Sequence, residues 1–153
     1  MTTAVDIRAV DAGNAAALAE LRAQLWPEDD ASAHLGEALD ALERPDRAVA
    51  YLAFDAGGAA VGFVEATLRH DYVNGTDDSP VGFLEGLYVV PAQRRRGVGR
   101  ALVAAVEDWT RGRGCAELAS DALLDNAASH AAHAAYGFEE TERVVYFRKI
   151  VRG

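Results

Sequence analysis

The stretch that most constrains the fold is PAQRRRGVGR (91 to 100), together with the segments on either side of it. The apolar run VGFLEGLYVV (81 to 90) predicts a buried strand directly before it. After it, GVGRALVAAVEDW places Val98, Leu102 and Val106 on one face of a helix. A strand that enters a helix through a basic, glycine-containing turn predicts an α/β domain.

That turn has the features of an anion-binding site. A helix begins with up to four backbone N–H groups that lack an intrahelical partner, and its macrodipole adds about half a unit of positive charge. Glycines at 97 and 99 let an anion approach the main chain, and arginines 94 to 96 add charged donors. The stretch is neither a Walker A loop nor the dinucleotide fingerprint, because GVGRAL lacks the required Lys-Ser/Thr and the third glycine. It predicts a pyrophosphate site, with an ordinary helix start as the alternative.

The other segments predict further strands and helices around this unit. We expect a strand at 5–10, helices at 14–26 and 31–43, strands at 48–54 and 59–69 joined by a hairpin, a strand at 115–120, a helix at 126–135, and one or two closing strands within 137–150. This order predicts a mixed sheet with helices on both faces. No repeat or linker divides the chain, so residues 1–153 are expected to form a single domain.

The distribution of charge excludes several classes of partner. Residues 1–80 contain 15 acidic and 5 basic side chains, and the whole chain carries a formal net charge of -9. Binding to a phosphate backbone needs a broad basic footprint, so nucleic acid is not an expected partner.

No apolar run approaches the roughly 20 residues that span a bilayer, and no signal peptide is recognisable, which predicts a cytoplasmic protein without a membrane partner. The single cysteine, Cys115, is expected to be a buried thiol.

Two motifs give the chain a resemblance to a known superfamily. YVVPAQRRRGVGRALVAAVEDW resembles the acetyl-CoA-binding segment of the GNAT N-acetyltransferases, whose Arg/Gln-x-x-Gly-x-Gly/Ala signature matches Arg94 to Gly99. NAASHAAHAAYGF (126 to 138) is similar to a later helix of that superfamily. More narrowly, YVNGTDDSPVGFLEGLYV and ASDALLDNAASHAAH resemble the bacterial aminoglycoside 6'-N-acetyltransferases. The likeness extends from about residue 18 to about residue 149.

This resemblance implies a fold and a cosubstrate. The implied fold is the mixed α/β GNAT fold, with a largely antiparallel central sheet that is splayed in the middle and has helices on both faces. The implied cosubstrate is acetyl-CoA, whose pantetheine arm pairs with strand backbone and whose pyrophosphate lies at the arginine turn. The expected cofactor-binding residues are Leu87, Tyr88, Val89, Arg94, Arg95, Arg96, Gly97, Val98, Gly99, Arg100, Asn126 and Ser129. The last two could equally be a helix cap and a small packing residue.

Glu85 is the most informative carboxylate in the sequence. It interrupts a segment that is otherwise apolar on both faces, and such a carboxylate needs a cation, hydrogen-bond donors or water. The resemblance places a second carboxylate, Asp121, in the acceptor pocket. An alkyl amine is protonated at neutral pH and must lose a proton before it attacks a thioester, so both are candidates for binding the ammonium and accepting its proton. The alternatives are a buried ion pair for Glu85 and a cap or turn role for Asp121.

Three further side chains are expected at the acceptor site, and one is expected to act as an acid. Trp26, Glu28 and Tyr72 combine aromatic faces with a carboxylate, which suits a sugar carrying several ammonium groups. A core tryptophan and a solvated helix start are the alternatives. In the superfamily, a tyrosine on the last helix often protonates the leaving thiolate, and that position here is His133. His130 lies three residues before it without a third ligand, so no metal is expected.

Together with these residues, the resemblance implies an enzyme that moves the acetyl group of acetyl-CoA to the 6'-amine of an aminoglycoside by direct attack and so confers antibiotic resistance. The resemblance also leads us to expect a homodimer, with the terminal strand-like segment pairing either across subunits or within its own sheet. Two alternatives remain: a GNAT enzyme for another cationic amine, such as a polyamine or a peptide amine, and a non-catalytic acyl-CoA-binding sensor.

Overall fold

The computed structural model describes residues 4–153, and its strands and helices follow the predicted order as far as the last helix. The elements are β1 (Asp6–Ala9), α1 (Ala15–Leu25), α2 (Ala31–Leu42), β2 (Ala48–Phe54), β3 (Ala60–Arg69), β4 (Val81–Val89), a 3-10 turn (Pro91–Gln93), α3 (Val98–Gly112), β5 (Leu118–Ala119) and α4 (Ala127–Ala135). The predicted hairpin between β2 and β3 is confirmed. Asp55 closes it, because its Oδ1 accepts hydrogen bonds from the backbone N–H groups of Gly57 and Ala59 at 3.0 and 2.9 Å.

The five strands form one mixed sheet in the order β1-β2-β3-β4-β5. The first three pairings are antiparallel, whereas β4 and β5 are parallel and pair only at Gly82 with Leu118 and Phe83 with Ala119. Beyond Phe83, the outer edge of β4 has no strand partner among residues 4–153. This confirms the expected mixed, largely antiparallel sheet, which is open along the outer edge of β4.

Helices cover both faces of the sheet, as predicted. Successive side chains of a strand point to opposite faces, so the fully buried neighbours Phe63 and Val64 belong to different cores. Val64 packs with the apolar face of α3, which presents Val98, Leu102 and Val106. Phe63 packs on the other side with residues of α1 and α2. The start of α2 is capped by Asp30, whose Oδ1 accepts from the N–H of Ala33 at 2.8 Å.

Two expectations about the end of the chain are wrong for this structure. The strand predicted at 115–120 shortens to two residues, and residues 139–153 contain no strand at all. A β-strand forms only where another strand offers hydrogen-bonding groups along its edge. Alternating apolar residues show that a segment could form a strand, but they do not show that such an edge is present. The segment instead exposes Val145, Tyr146 and Phe147, which are 75%, 80% and 91% accessible to solvent.

The cysteine and the helices agree with their sequence patterns. Cys115 is 6% exposed, and its burial raises the pKa of the thiol. Among the helices of residues 4–153, none combines the length and apolar character that a bilayer crossing requires.

Candidate active site

A β-bulge in β4 directs Glu85 toward one face of the sheet. In the pairing of β3 with β4, Glu65 lies opposite Gly86 and Ala66 lies opposite Leu84, so Glu85 is an extra residue in its strand. Bulges of this kind disrupt the ladder locally and change the direction of a side chain. The carboxylate of Glu85 therefore reaches Thr67 of β3.

One oxygen of Glu85 is held by the protein, and the other has no protein partner. Its Oε1 accepts hydrogen bonds from Thr67 Oγ1 at 2.9 Å and from Arg69 Nη2 at 2.7 Å. The Arg69 guanidinium lies 3.6 Å from the centre of the Phe83 ring, which fixes its plane. Within residues 4–153, Oε2 receives no hydrogen bond, and the side chain is 33% exposed. Glu85 thus forms an ion pair with Arg69, but not the buried pair given as the alternative, and its second oxygen is available for the predicted role in substrate binding.

A cavity of about 500 Å³ lies between the loop after β3 and the residues after β5. It brings two predicted acceptor residues together, because Tyr72 and Asp121 both line it. Arg69 and Phe83 also line the cavity, and Arg69 contacts Glu85. Tyr146 of the C-terminal segment lines the cavity as well. The cavity is therefore bordered by carboxylates and aromatic rings, the combination expected for a polycationic ligand.

The loop that carries Tyr72 is held by a residue that sequence reasoning missed. Glu117, just before β5, accepts hydrogen bonds from the backbone N–H groups of Asp77 and Asp78, at 2.7 to 3.1 Å. At the other end of the loop, Ser79 Oγ donates to the carbonyl of His70 at 2.5 Å. The contacts of Glu117 join residues about 40 apart in the chain, so no local pattern could reveal them.

Trp26 lies beside the bulge, whereas Glu28 stays apart from it. A Cβ atom on Gly86 would lie 2.6 Å from Trp26 Cη2, so the glycine makes room for the indole next to Glu85. Trp26 also packs edge-on against Phe63, with ring centres 6.0 Å apart. Glu28 is exposed in the turn between α1 and α2 and has no ion pair or side-chain hydrogen bond with any described residue.

The start of α3 leaves its main-chain donors free. Within residues 4–153, none of the backbone N–H groups from Arg95 to Arg100 donates a hydrogen bond, and the first helical bond runs from Ala101 to Gly97. Gly97 has a φ of 86°, a left-handed conformation that favours glycine. Gly99 has another reason to lack a side chain, because the hydroxyl of Tyr136 occupies the space that a Cβ would need.

The four arginines of this turn divide into two pairs. Arg94 Nε donates to the carbonyl of Val89 at 2.8 Å, and Arg100 Nη2 donates to the carbonyl of Ala135, at the end of α4, at 2.7 Å. Arg95 and Arg96 are exposed and form no ion pair or hydrogen bond through their side chains within residues 4–153. Two guanidinium groups therefore stabilise the turn, and two remain available for an anion.

The unpaired edge of β4 connects the cavity with this turn. The strand leaves the cavity at Phe83 and ends at Val89, just before the 3-10 turn. Along this stretch Leu87 packs in the α3 core, whereas Tyr88 points to the other face and donates its hydroxyl to Gln24 at 2.9 Å. The side chains are thus used in packing while the outer main-chain edge stays open.

The predicted residues of α4 are joined to one another. Asn126 Oδ1 accepts from the N–H of Ser129 at 3.1 Å, so Asn126 caps the helix. His133 Nδ1 lies 2.7 Å from the carbonyl of Ser129, and its Nε2 lies 2.8 Å from Ser120 Oγ. Both nitrogens of His133 are therefore in use, and the imidazole connects α4 to the residue before Asp121.

A mixed sheet that is open along the outer edge of β4, with free amides where that strand leads into α3, is the arrangement of an acyl-coenzyme A-dependent transferase of the GNAT type. Residues 15–138 match the model of the acetyltransferase (GNAT) family, and the chain belongs to that family. It is 56% identical over 148 residues to the aminoglycoside N(6')-acetyltransferase type 1 of Stenotrophomonas maltophilia, which covers 97% of this chain and 95% of that protein. The protein of the same name from Salmonella typhimurium is 50% identical over 84% of this chain and 88% of its own length.

Solved structures give the same result. AAC(6')-Iy in complex with the bisubstrate analogue CoA-S-monomethyl-acetylneamine is similar with a TM-score of 0.91 and 45% identity, covering 97% of this chain and 100% of that chain. The aminoglycoside antibiotic 6'-N-acetyltransferase AAC(6')-Ih from Acinetobacter baumannii is similar with a TM-score of 0.92 and 42% identity, covering 97% and 99%.

Proposed function

We propose that this chain transfers the acetyl group of acetyl-CoA to the 6'-amine of aminoglycoside antibiotics. The amine nitrogen attacks the thioester carbonyl carbon, the C–S bond breaks, and coenzyme A leaves as the thiolate. One observation carries the proposal: the open edge of β4 runs from a cavity bordered by carboxylates to the free amides of Arg95 to Arg100. Relatives that match nearly the whole chain carry the name of this activity.

The cofactor would bind mainly through the main chain. The free amides at the start of α3 would bind the pyrophosphate, assisted by the side chains of Arg95 and Arg96. The open edge of β4 would pair with the pantetheine arm. We propose the cofactor-binding set as expected from the sequence: Leu87, Tyr88, Val89, Arg94, Arg95, Arg96, Gly97, Val98, Gly99, Arg100, Asn126 and Ser129.

The acceptor would bind through aromatic faces and carboxylates. Glu85 Oε2 and the carboxylate of Asp121 would receive ammonium groups, while Trp26 and Tyr72 would contact the sugar rings. From the exposed turn between α1 and α2, Glu28 would attract the polycationic acceptor over a longer range rather than contact it in the cavity.

The reaction would depend on alignment and on the movement of two protons. Glu85 or Asp121 would take one proton from the ammonium, directly or through water, before the nitrogen attacks. Holding amine and thioester in line would supply much of the rate enhancement, and backbone donors would stabilise the developing oxyanion. The nitrogen loses its second proton as the tetrahedral intermediate collapses, and the hydrogen-bonded pair of Ser120 and His133 would carry that proton to the thiolate.

We also propose that the protein is a homodimer. The segment after α4 exposes the side chains of Val144, Val145, Tyr146, Phe147, Ile150 and Val151. Such a surface is unfavourable in water and has the alternation of an edge strand, so pairing with a second copy would bury it. Light scattering should give twice the mass of the chain, and removal of residues 144–153 should give a monomer.

A comparison of amine substrates tests the proposed activity. Aminoglycosides with a 6'-amine, a polyamine and a basic peptide would be compared by coenzyme A release. We expect kcat/KM to be at least about 10²-fold higher for the aminoglycosides, since a site with positioned polar groups discriminates strongly. Preference for the polyamine or peptide would favour the other GNAT acceptors. Tight coenzyme A binding without turnover of any amine would indicate a sensor.

The same activity would act in the cytoplasm, where acetyl-CoA is available, and would confer resistance on the cell. The acidic chain would need neither nucleic acid nor a membrane as partner. Expression in a sensitive bacterial host should raise the minimum inhibitory concentration of 6'-amino aminoglycosides. If the purified protein acetylates these antibiotics but the minimum inhibitory concentration does not change, the protein has the proposed activity but does not confer resistance.

A further inference from the structure

A buried group of charged and polar side chains lies on the face of the sheet that carries Trp26. At its centre is Arg22 of α1, which is 6% exposed. Its Nη1 donates to both carboxylate oxygens of Glu65 of β3, at 2.5 and 2.6 Å, and its Nη2 forms an ion pair with Glu37 of α2. Its Nε donates to Nδ1 of His34, also in α2, at 3.3 Å. Arg22 therefore joins two helices to the sheet.

The contacts of His34 determine which of its nitrogens carries the proton. Arginine can only donate, so Nδ1 of His34 must accept and the proton lies on Nε2. That Nε2 is 2.9 Å from the carbonyl oxygen of Trp26, to which it donates. His34 is 1% exposed, and its imidazole bridges the guanidinium of Arg22 and the main-chain carbonyl of Trp26.

The same group also holds the indole ring. The Arg22 guanidinium lies 4.9 Å from the ring centre of Trp26, and the His34 ring stacks on it with centres 6.4 Å apart and planes at 19°. On its other side the indole reaches Gly86, next to Glu85. Both the backbone and the ring face of Trp26 are thus fixed by side chains that do not touch the cavity.

A contribution to folding stability does not by itself explain why Arg22, His34, Glu37 and Glu65 form this group. Burial raises the pKa of Glu65, because a buried carboxylate loses hydration, and the nearby Arg22 opposes that rise. Buried ion pairs are often no better for stability than apolar side chains of similar size. What an apolar replacement could not supply is the donor to the Trp26 carbonyl and the cation on its ring.

We infer that Arg22 and His34 are positioning residues for Trp26 and thereby set the affinity of the site for the aminoglycoside. This inference rests on the proposed function. The group acts on the acceptor side only, because none of its contacts reaches the α3 turn proposed to bind the cofactor. Loss of the group should therefore raise KM for the aminoglycoside and leave KM for acetyl-CoA unchanged.

Two substitutions of His34 separate positioning from packing. In His34→Gln, the side-chain carbonyl can accept from Arg22 and the amide N–H can donate to the Trp26 carbonyl. In His34→Leu, both contacts are lost at similar volume. We expect His34→Leu to raise KM for the aminoglycoside about tenfold with kcat within about twofold, and His34→Gln to recover most of that loss. Asp40→Asn, at an exposed position of α2, is the control.

Fluorescence measures the position of the indole without any substrate. In a Trp109→Phe background Trp26 is the single tryptophan, and its emission should shift to longer wavelength in His34→Leu but not in His34→Gln. Unchanged emission in both variants would overturn the positioning role. An unchanged KM in a folded His34→Leu protein would overturn the role in affinity. A wild-type protein that acetylates no aminoglycoside would instead contradict the proposed function, and the emission spectra would still decide whether the group positions Trp26.

Discussion

The cofactor side and the acceptor side of the site are built in different ways. Residues proposed for acetyl-CoA lie mainly in one continuous segment, 87–100, and would act largely through free main-chain groups. The acceptor side combines side chains from the end of α1, the loop after β3, the bulge in β4 and the segment after β5. A main-chain site depends on backbone conformation, whereas a side-chain site depends on the identity of a few separated residues. Substitutions should therefore distinguish the two sides.

Removal of both acceptor-side carboxylates should have the largest effect. In the double variant Glu85→Gln/Asp121→Asn, kcat/KM for an aminoglycoside should fall by about 10³-fold, because a positioned base contributes roughly 10²- to 10⁴-fold. The dissociation constant of coenzyme A, measured by calorimetry, should not change. Asp108→Asn, on the exposed surface of α3, is the matched control. Full activity of the double variant would remove both carboxylates from the mechanism.

A change of backbone conformation should damage the cofactor side. Gly97 has a φ of 86°, and a side chain in the left-handed region costs about 1–2 kcal/mol. Gly97→Ala should therefore weaken coenzyme A binding by about tenfold, as measured by calorimetry. Gly112→Ala in the last turn of α3 is the control, because a Cβ there meets no atom within 4 Å. Equal affinities in the two variants would contradict a main-chain site at Gly97.

Loss of the two available guanidinium groups should have a smaller effect. Arg95→Gln/Arg96→Gln removes side chains without partners in the described structure, so the fold should be retained and coenzyme A affinity should fall by about three- to tenfold. Because the contribution is electrostatic and exposed, the difference from wild type should shrink as salt is raised. A difference that is independent of salt would indicate a change in the turn itself.

The smallest expected effect concerns the cap of α2, near Trp26. Hydrogen bonds from Ala33 and Ser32 lower the pKa of Asp30, so its ionised form stabilises the folded chain above the ordinary pKa of 3.8. That contribution is lost as the pH falls through the lowered pKa. Asp30→Ala should reduce Tm slightly at neutral pH, and the difference from wild type should disappear in acid. A constant difference at all pH values would contradict this assignment.

The same contrast explains which parts of the molecule could be predicted from the sequence. Secondary structure through α3 depends on local periodicity, and the cofactor turn depends on the local pattern of Arg94 to Gly99, so both are visible in a continuous stretch. The interruption of an apolar strand identified Glu85, but not its bulge or its contact with Arg69. Strand alternation from Glu65 to Thr67 and Arg69 could have indicated that these side chains share a face.

The remaining features depend on contacts between distant segments. Glu117 holds a loop about 40 residues away, and Ser120 meets His133 only because the residue after β5 lies beside α4. Tyr146 lines the cavity from a segment that was expected to be a strand. That expectation was wrong because an alternating sequence forms a strand only when the edge of another strand lies beside it. We propose that a second copy of the chain provides this edge.

Product analysis tests the central claim most directly. The purified protein would be incubated with acetyl-CoA and either an aminoglycoside with a 6'-amine or its counterpart with a 6'-hydroxyl, and the products would be assigned by NMR. We expect one acetyl group, on the 6'-nitrogen of the first compound, and no acetylation of the second. Acetylation of both compounds at another amine, or of neither, would contradict this expectation.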